Sequence, residues 1–337
     1  MRNNPPTRLF KNRSIAFAKQ LLCSLGILLV PLMGHAHFGH GSAELALPKR
    51  PQLRIVTSFL PMQSHTAAVA GNGAIVEQLL DKDAGPHDFQ LTPSTVRKLA
   101  NADVLIINGA GMEDWLDDIL SKSSHPDLTV VDTSVGMTLL DNPMEIDIQG
   151  IAKNKHDNSN HHTSANPHIW LDPVIAQQQV AVILRALQAA DPVRAKLFHA
   201  NADAYTKKLL ALDTEFRRRL DPLPNKNLVT FHEAFPYLAA RYDLNYVGAI
   251  SQFPERDPAP RELAALVDEI KRLKVGVLFA EQDYAPSLLK RIAAQTGART
   301  SQLDTLEVGL GHADAYLLRM RANLDALSLA FSEESNQ

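Results

Sequence analysis

Residues 261–303 run RELAALVDEIKRLK, VGVLFAE, APSLLKRIAAQTG and ARTSQL, two longer amphipathic stretches each followed by a short apolar one. Alternation of helix-like and strand-like segments is the pattern of an α/β fold with a mainly parallel sheet. Immediately upstream, NLVTF (227–231) and LNYVGAI (244–250) extend the same pattern. An earlier set precedes it: RIVTSF (54–59), AIVEQLL (74–80), the helix-like PSTVRKLANA (93–102) and the buried-strand run VLIIN (104–108). The expected fold is therefore two similar α/β lobes, each a mainly parallel sheet flanked by helices. The N-terminal lobe is expected over 48–172 and the C-terminal lobe over 223–334.

A helical region, 173–222, separates the two sets. Asp172-Pro173 and Asp191-Pro192 each offer a capping side chain followed by proline at the first helical position. Leu197, Ala200, Ala204, Lys207, Leu210 and then Leu212 to Phe216 carry a helical spacing for about seven turns, a rigid helix of roughly 40 Å. Two shorter helices with a kink satisfy the same end signals. A single helix would be a strut that resists hinge closure.

The whole sequence has 337 residues, 45% apolar and 21% charged, which excludes disordered, collagen-like and coiled-coil classes. Its formal charge of −3 gives no basic surface for nucleic acid. Residues 1–36 read as a secretory signal peptide: Arg2, Arg8, Lys11, Arg13 and Lys19 precede an apolar run from Leu21 to Leu32, then Gly34-His35-Ala36. The run falls short of the roughly 20 residues of a membrane span. Cleavage near Ala36 would leave 29 basic and 37 acidic residues, a mature charge of −8, and would remove Cys23, the only cysteine. A mature chain without thiols binds metal through His, Asp or Glu.

Histidine is the unusual count, at 13. His156, His161 and His162 sit in KNKHDNSNHHTSAN (153–166), too polar to pack and read either as a metal-collecting loop with secondary sites or as a polar loop with incidental histidines. His35, His37 and His40 cluster at the cleavage point. Four further residues stand where loops after strands meet: His87 in GPHDFQLTPS, His168 in NPHIWLDP, His232 in VTFHEAFPYLAARY and Asp304 in TSQLDTLEVG. They are 81, 64 and 72 residues apart, so a local zinc-finger pair is excluded. Loops at the carboxyl ends of parallel strands converge on the ligand crevice. Three imidazoles and a carboxylate form a tetrahedral set suited to Zn²⁺ rather than Mg²⁺ or Ca²⁺, although each histidine taken singly also reads as a buried, hydrogen-bonded residue.

From about residue 53 to 330 the chain resembles the cluster A-I metal-binding receptors of ABC importers, and among them the zinc-uptake ZnuA type. The stretches that carry the resemblance stand in the family's order: SFLP (58–61), GPHDFQLTPS, ADVLIINGAGMEDWL (102–116), NPHIWLDP, DPVRAKLFHANADAYTKKL (191–209), VTFHEAFPYLAARY and FAEQDYAPSLLKRIA (279–293). The resemblance implies a monomeric periplasmic receptor of two lobes joined by one long helix. It would capture Zn²⁺ in the cleft and deliver it to a permease and its ATPase in the inner membrane, and would not be an enzyme. It makes His87, His168 and His232 ligands, with Asp304 matching the aspartate that is a fourth ligand in some members and Glu281 as its substitute. Manganese-type relatives carry glutamate at the third position, so His232 points to zinc over Mn²⁺, as does the histidine-rich loop. The cysteine pair of some zinc receptors is missing.

Trp115 and Trp170 read as packing near the lobe interface, Asp172 as a helix cap, and His65, His125, His199 and His312 as core or surface histidines. Two other classes compete. A secreted zinc hydrolase would use three histidines and an open coordination position, but the chain has no HExxH. A periplasmic metal chaperone or adhesin of the same fold would share the same site.

Overall fold

Helix α1 was not foreseen from the sequence, and it occupies the centre of the molecule. In the computed structural model the described residues are 52–141 and 165–334, except 88, 90, 91, 117, 118, 121–124, 126, 251–259 and 282–285. The expected signal peptide with Cys23 and the His35, His37 and His40 cluster lie outside them. So does 153–164, the part of the polar loop that holds His156, His161 and His162.

The chain runs β1 (Leu53–Thr57), α1 (Leu60–Ala70), β2 (Ala74–Gln78), α2 (Pro93–Ala100), β3 (Val104–Ile107) and β4 (Thr129–Asp132). Next come α3 (Pro173–Ala190) and α4 (Ala195–Leu220). The second set is β5 (Asn227–Thr230), α5 (Pro236–Arg241), β6 (Asn245–Ala249), α6 (Pro260–Arg272), β7 (Val277–Glu281), α7 (Pro286–Thr296) and β8 (Arg299–Leu303), and α8 (Ala315–Glu334) closes the chain. The strands form two four-stranded sheets, β2-β1-β3-β4 and β6-β5-β7-β8, with every pairing parallel. The two α/β lobes and the alternation read from the sequence are both present. The same strand order recurs in each, so the carboxyl ends of the strands carry the loops that build the site.

Helix α4 is one uninterrupted helix of 26 residues rather than two shorter ones. Its phase differs from the sequence reading by one residue. The buried face is Phe198, Ala202, Tyr205, Leu209, Leu212, Phe216 and Leu220, whereas Leu210 is 54% exposed. The error came from counting Ala200, Ala204 and Lys207 as one stripe, when the larger side chains one position away fill the core. Asp172 caps α3 as expected, accepting from the backbone N–H of Val174 (2.7 Å) and Ile175 (3.4 Å). Asp191 does the same for Val193 and Arg194, but at a short 3-10 turn that leads into α4.

Helix α1 escaped notice because it has no polar face: Leu60, Met62, Ser64, His65, Thr66, Val69 and Ala70 are all buried. A helix surrounded by protein shows no amphipathic period. It lies against α3, α4, α8 and β2. One hydrophobic cluster runs from Ile55 and Met62 through Trp170, Leu212 and Phe216 to Tyr316 and Phe331, and so joins both sheets through the central helices. A smaller cluster, with Val229, Leu266, Ile270, Leu278 and Ile292, fills the space under α6 and α7.

The helix phase is checked by truncation. Phe216→Ala should destabilise the metal-free protein by about 3–5 kcal/mol in urea unfolding, while Leu210→Ala should stay within about 0.5 kcal/mol of the parent.

Candidate metal centre

His87 and His232 follow strands, His168 opens the short 3-10 turn ahead of α3, and each is fixed by its own neighbours. His232 comes two residues after β5, where the Thr230 hydroxyl donates to its carbonyl at 2.8 Å. His168 ends the segment that enters α3. That segment is tied to the first lobe by Asn108, whose side-chain amide donates to the Pro167 carbonyl at 2.9 Å. Asn108 sits in a turn gathered by buried Glu113, which accepts from the backbone N–H of Asn108 (2.9 Å) and Gly109 (3.0 Å). Burial pushes Glu113 up to about 7 despite those hydrogen bonds. Gly109 has φ +79°, and a Cβ there would meet the Asp132 carboxylate, so the turn requires glycine.

His87 lies in the loop between β2 and α2. Trp115 steadies that loop: its indole N–H donates to the Pro86 carbonyl at 3.1 Å, and its ring lies 4.1 Å from that of Phe89. Its role is thus within the first lobe. Trp170 does join the lobes, donating from Nε1 to the Thr305 carbonyl at 2.8 Å.

The three imidazoles converge with a carboxylate that sequence reasoning passed over, Glu307. The Oε1 of Glu307 lies 3.2 Å from His87 Nε2, 3.1 Å from His168 Nε2 and 3.5 Å from His232 Nε2. His168 and His232 present Nε2 atoms 3.3 Å apart. All four donors lie within 4.8 Å of one another. A tetrahedral ion with bonds of 2.0–2.1 Å has ligand-to-ligand edges of about 3.3 Å, close to the three Glu307 separations and the His168–His232 separation. His168, His232 and Glu307 are buried, and His87 is the partly exposed member.

Neither sequence candidate for the carboxylate stands in that group. Asp304, three residues before Glu307 in the same loop, gives both its oxygens to Arg319 and accepts the Leu306 N–H at 2.8 Å. A carboxylate already paired with a guanidinium is not free to face the imidazoles. Glu281 stands behind His232: one oxygen accepts the His232 backbone N–H at 3.0 Å and the other contacts Nδ1. Its position at the end of β7 is as expected, but both oxygens are committed to orienting the imidazole.

These partners fix the tautomers. Asn166 Oδ1 accepts the backbone N–H of His168 at 3.0 Å, so its 2.9 Å contact with His168 Nδ1 requires Nδ1–H as donor. Glu281 can only accept, so His232 Nδ1 also carries its proton. Both rings therefore turn Nε2 toward the cluster, as metal-bound histidines do when a neighbour holds the other nitrogen. Asn166 also donates to the Glu233 carbonyl at 2.7 Å, linking the two histidine segments. Among the remaining histidines, His65 is a core residue bonded to Tyr205, and His199 pairs with Asp203 on the surface.

Electrostatics separates the histidines. Burial holds His168 down to about 4, against the pull of Glu307. Burial also opposes charge on His232, but Glu281 and Glu307 outweigh it and push it up to about 10. Burial works against ionised Glu307 as well, yet the neighbouring imidazoles hold it well below the usual carboxylate range.

The family described as "Zinc-uptake complex component A periplasmic" (ZnuA) matches residues 55–330. The zinc-binding lipoprotein AdcA of Streptococcus pneumoniae is 31% identical over 288 residues, 84% of this chain and 56% of AdcA. The high-affinity zinc uptake system protein ZnuA of Bacillus subtilis is 31% identical over 308 residues, 89% of this chain and 93% of that protein. The chain thus spans little more than half of AdcA but nearly all of the Bacillus subtilis protein. Among solved structures, the solute-binding protein FpvC from Pseudomonas aeruginosa, in complex with Mn²⁺, superposes with a TM-score of 0.73 at 26% identity, covering 84% of this chain and all of that one.

The charge pattern yields a pH prediction. His232 has its pKa raised, so at pH 7 it keeps a proton that a metal ion must expel, whereas His168 is already neutral. Binding of a divalent ion should release about one proton from His232, and affinity should fall about tenfold per unit as the pH is lowered from 8 to 6. Calorimetry in two buffers of different ionisation enthalpy measures the proton count, and a pH-independent affinity would contradict the assignment.

Proposed function

Because the chain belongs to the ZnuA family of zinc-uptake components, we propose that it is an exported receptor that captures Zn²⁺ for an ABC importer. The supporting observation is the set of four buried or half-buried donors, His87, His168, His232 and Glu307, all within 4.8 Å of one another and close enough to share one ion. The ion is cargo. Imidazole and carboxylate replace its water, His232 gives up its proton, and the closed shell shields the ion until delivery.

Partial exposure of His87 makes it the donor on the accessible side, so we read it as the first to meet the ion and the first to let go. His168 and His232 are tied to each other's segments through Asn166 and form the fixed floor. We assign the receptor to the periplasm, with the leader removed near Ala36, and its partners as a permease and ATPase in the inner membrane. Glu307 as fourth donor closes the position that a hydrolase would need for water, which favours a receptor over an enzyme. A metal chaperone or adhesin would share the site, and reconstituted uptake with the permease separates those readings.

The experiment is a competition of Zn²⁺ and Mn²⁺ for the metal-stripped protein. One tight zinc site, preferred over Mn²⁺ and lost on His87→Ala, is expected; weak zinc binding that survives His87→Ala would overturn the reading. Deleting residues 153–164, which keeps the bridging Asn166, should lower the zinc stoichiometry and leave the tight site intact. Loss of the tight site would refute the auxiliary role we give to His156, His161 and His162.

A further inference from the structure

Apart from the imidazoles it faces, the Glu307 carboxylate has no hydrogen-bond partner among the described residues. Its Oε1 faces the three imidazoles, and its Oε2 is buried with no hydrogen-bond partner among the described residues. The direction of the carboxylate therefore depends on the backbone that carries it, and that backbone is unusual, with Leu306 at φ +62° immediately before Glu307.

One side chain grips this loop on both sides of Glu307. Arg319, on α8, directs Nε and Nη2 at the two oxygens of Asp304, the second contact measuring 2.6 Å, and donates from Nη1 to the Val308 carbonyl at 2.6 Å. Asn323, one turn further along α8, locks the Asp304 backbone by accepting its N–H at 2.8 Å and donating to its carbonyl at 2.7 Å. Gly309, at φ +110°, passes so close that a Cβ there would stand 2.9 Å from Arg319 Nη1. The planar guanidinium thus spans residues 304 to 308 as a rigid fork, a geometry an ammonium group cannot copy.

We propose that Arg319 is the positioning residue for the fourth metal donor: its fork on Asp304 and the Val308 carbonyl fixes the loop that aims Glu307 Oε1 at the three imidazoles. The proposal rests on the receptor reading above. It also gives Asp304 a role, as the handle through which Arg319 holds the loop.

A double-mutant cycle on the full mature chain tests this. Arg319→Lys should weaken zinc binding about tenfold to a hundredfold, as loss of an orienting partner does at metal sites. Glu307→Gln should weaken it too. If Arg319 acts through Glu307, adding Arg319→Lys to Glu307→Gln changes affinity by less than about threefold. The visible spectrum of the Co²⁺-loaded protein gives a second readout, in which Arg319→Lys and Glu307→Gln should reduce the four-coordinate bands alike. Should Arg319→Lys lower the thermal midpoint of the metal-free protein sharply, Asp304→Asn, which weakens the same grip, takes its place in the cycle.

Losses that multiply in the double variant, or a Co²⁺ spectrum unchanged by Arg319→Lys, would overturn the positioning role while leaving the receptor reading in place. Failure of the unmodified chain to bind zinc, or indifference to His87→Ala, would overturn the receptor reading and this inference with it.

Discussion

A carboxylate that is almost wholly buried has to be compensated, because removing its charge from water costs far more than the fold can spare. Glu307 is 1% exposed, and among the described residues its carboxylate's polar partners are the three Nε2 atoms that meet at Oε1. The rest of the site serves that meeting. Asn166 and Glu281 turn two rings by holding their Nδ1 protons, Trp115 steadies the loop of the third, and the fork from α8 holds the backbone of the carboxylate. Four segments of the two lobes are brought to one point by side chains that stand behind the donors.

The continuous core explains how such loops stay in register. Trp170 belongs to that core, lies 5.2 Å from the His168 ring and bonds Thr305 in the Glu307 loop, so one buried indole links two donors of different lobes. Helix α1 and the long α4 fill the space between the sheets.

Much of this was legible in the sequence. The strands LRIVT, VLII, NLVT and VLFAE were plain as short apolar runs, and Asp172-Pro173 marked the start of α3 because capping is a local matter. The three histidines stood out because His87 and His232 follow strands and His168 stands just before the Asp172 cap, each in a stretch of distinctive composition. Glu307 did not, since it is three residues from Asp304 in TSQLDTLEVG and nothing local says which acid faces inward. That choice is made by Arg319, fifteen residues away on another element, and by a positive φ at Leu306 that this sequence does not advertise. The phase of α4 failed for a related reason: small residues on its exposed side imitate an apolar stripe until the partner surface is known.

The pairing of Glu281 and Glu307 around His232 has a consequence in electrical balance. In the receptor proposed above, once His232 has given up its proton, two buried carboxylates and three neutral imidazoles would carry two negative charges, and a doubly charged ion would bring the enclosed site to neutrality. A monovalent ion would leave a net charge stranded in a medium of low polarizability, and a trivalent ion would leave one of the other sign. Such a site would sort ions by valence before coordination geometry begins to distinguish among divalent metals.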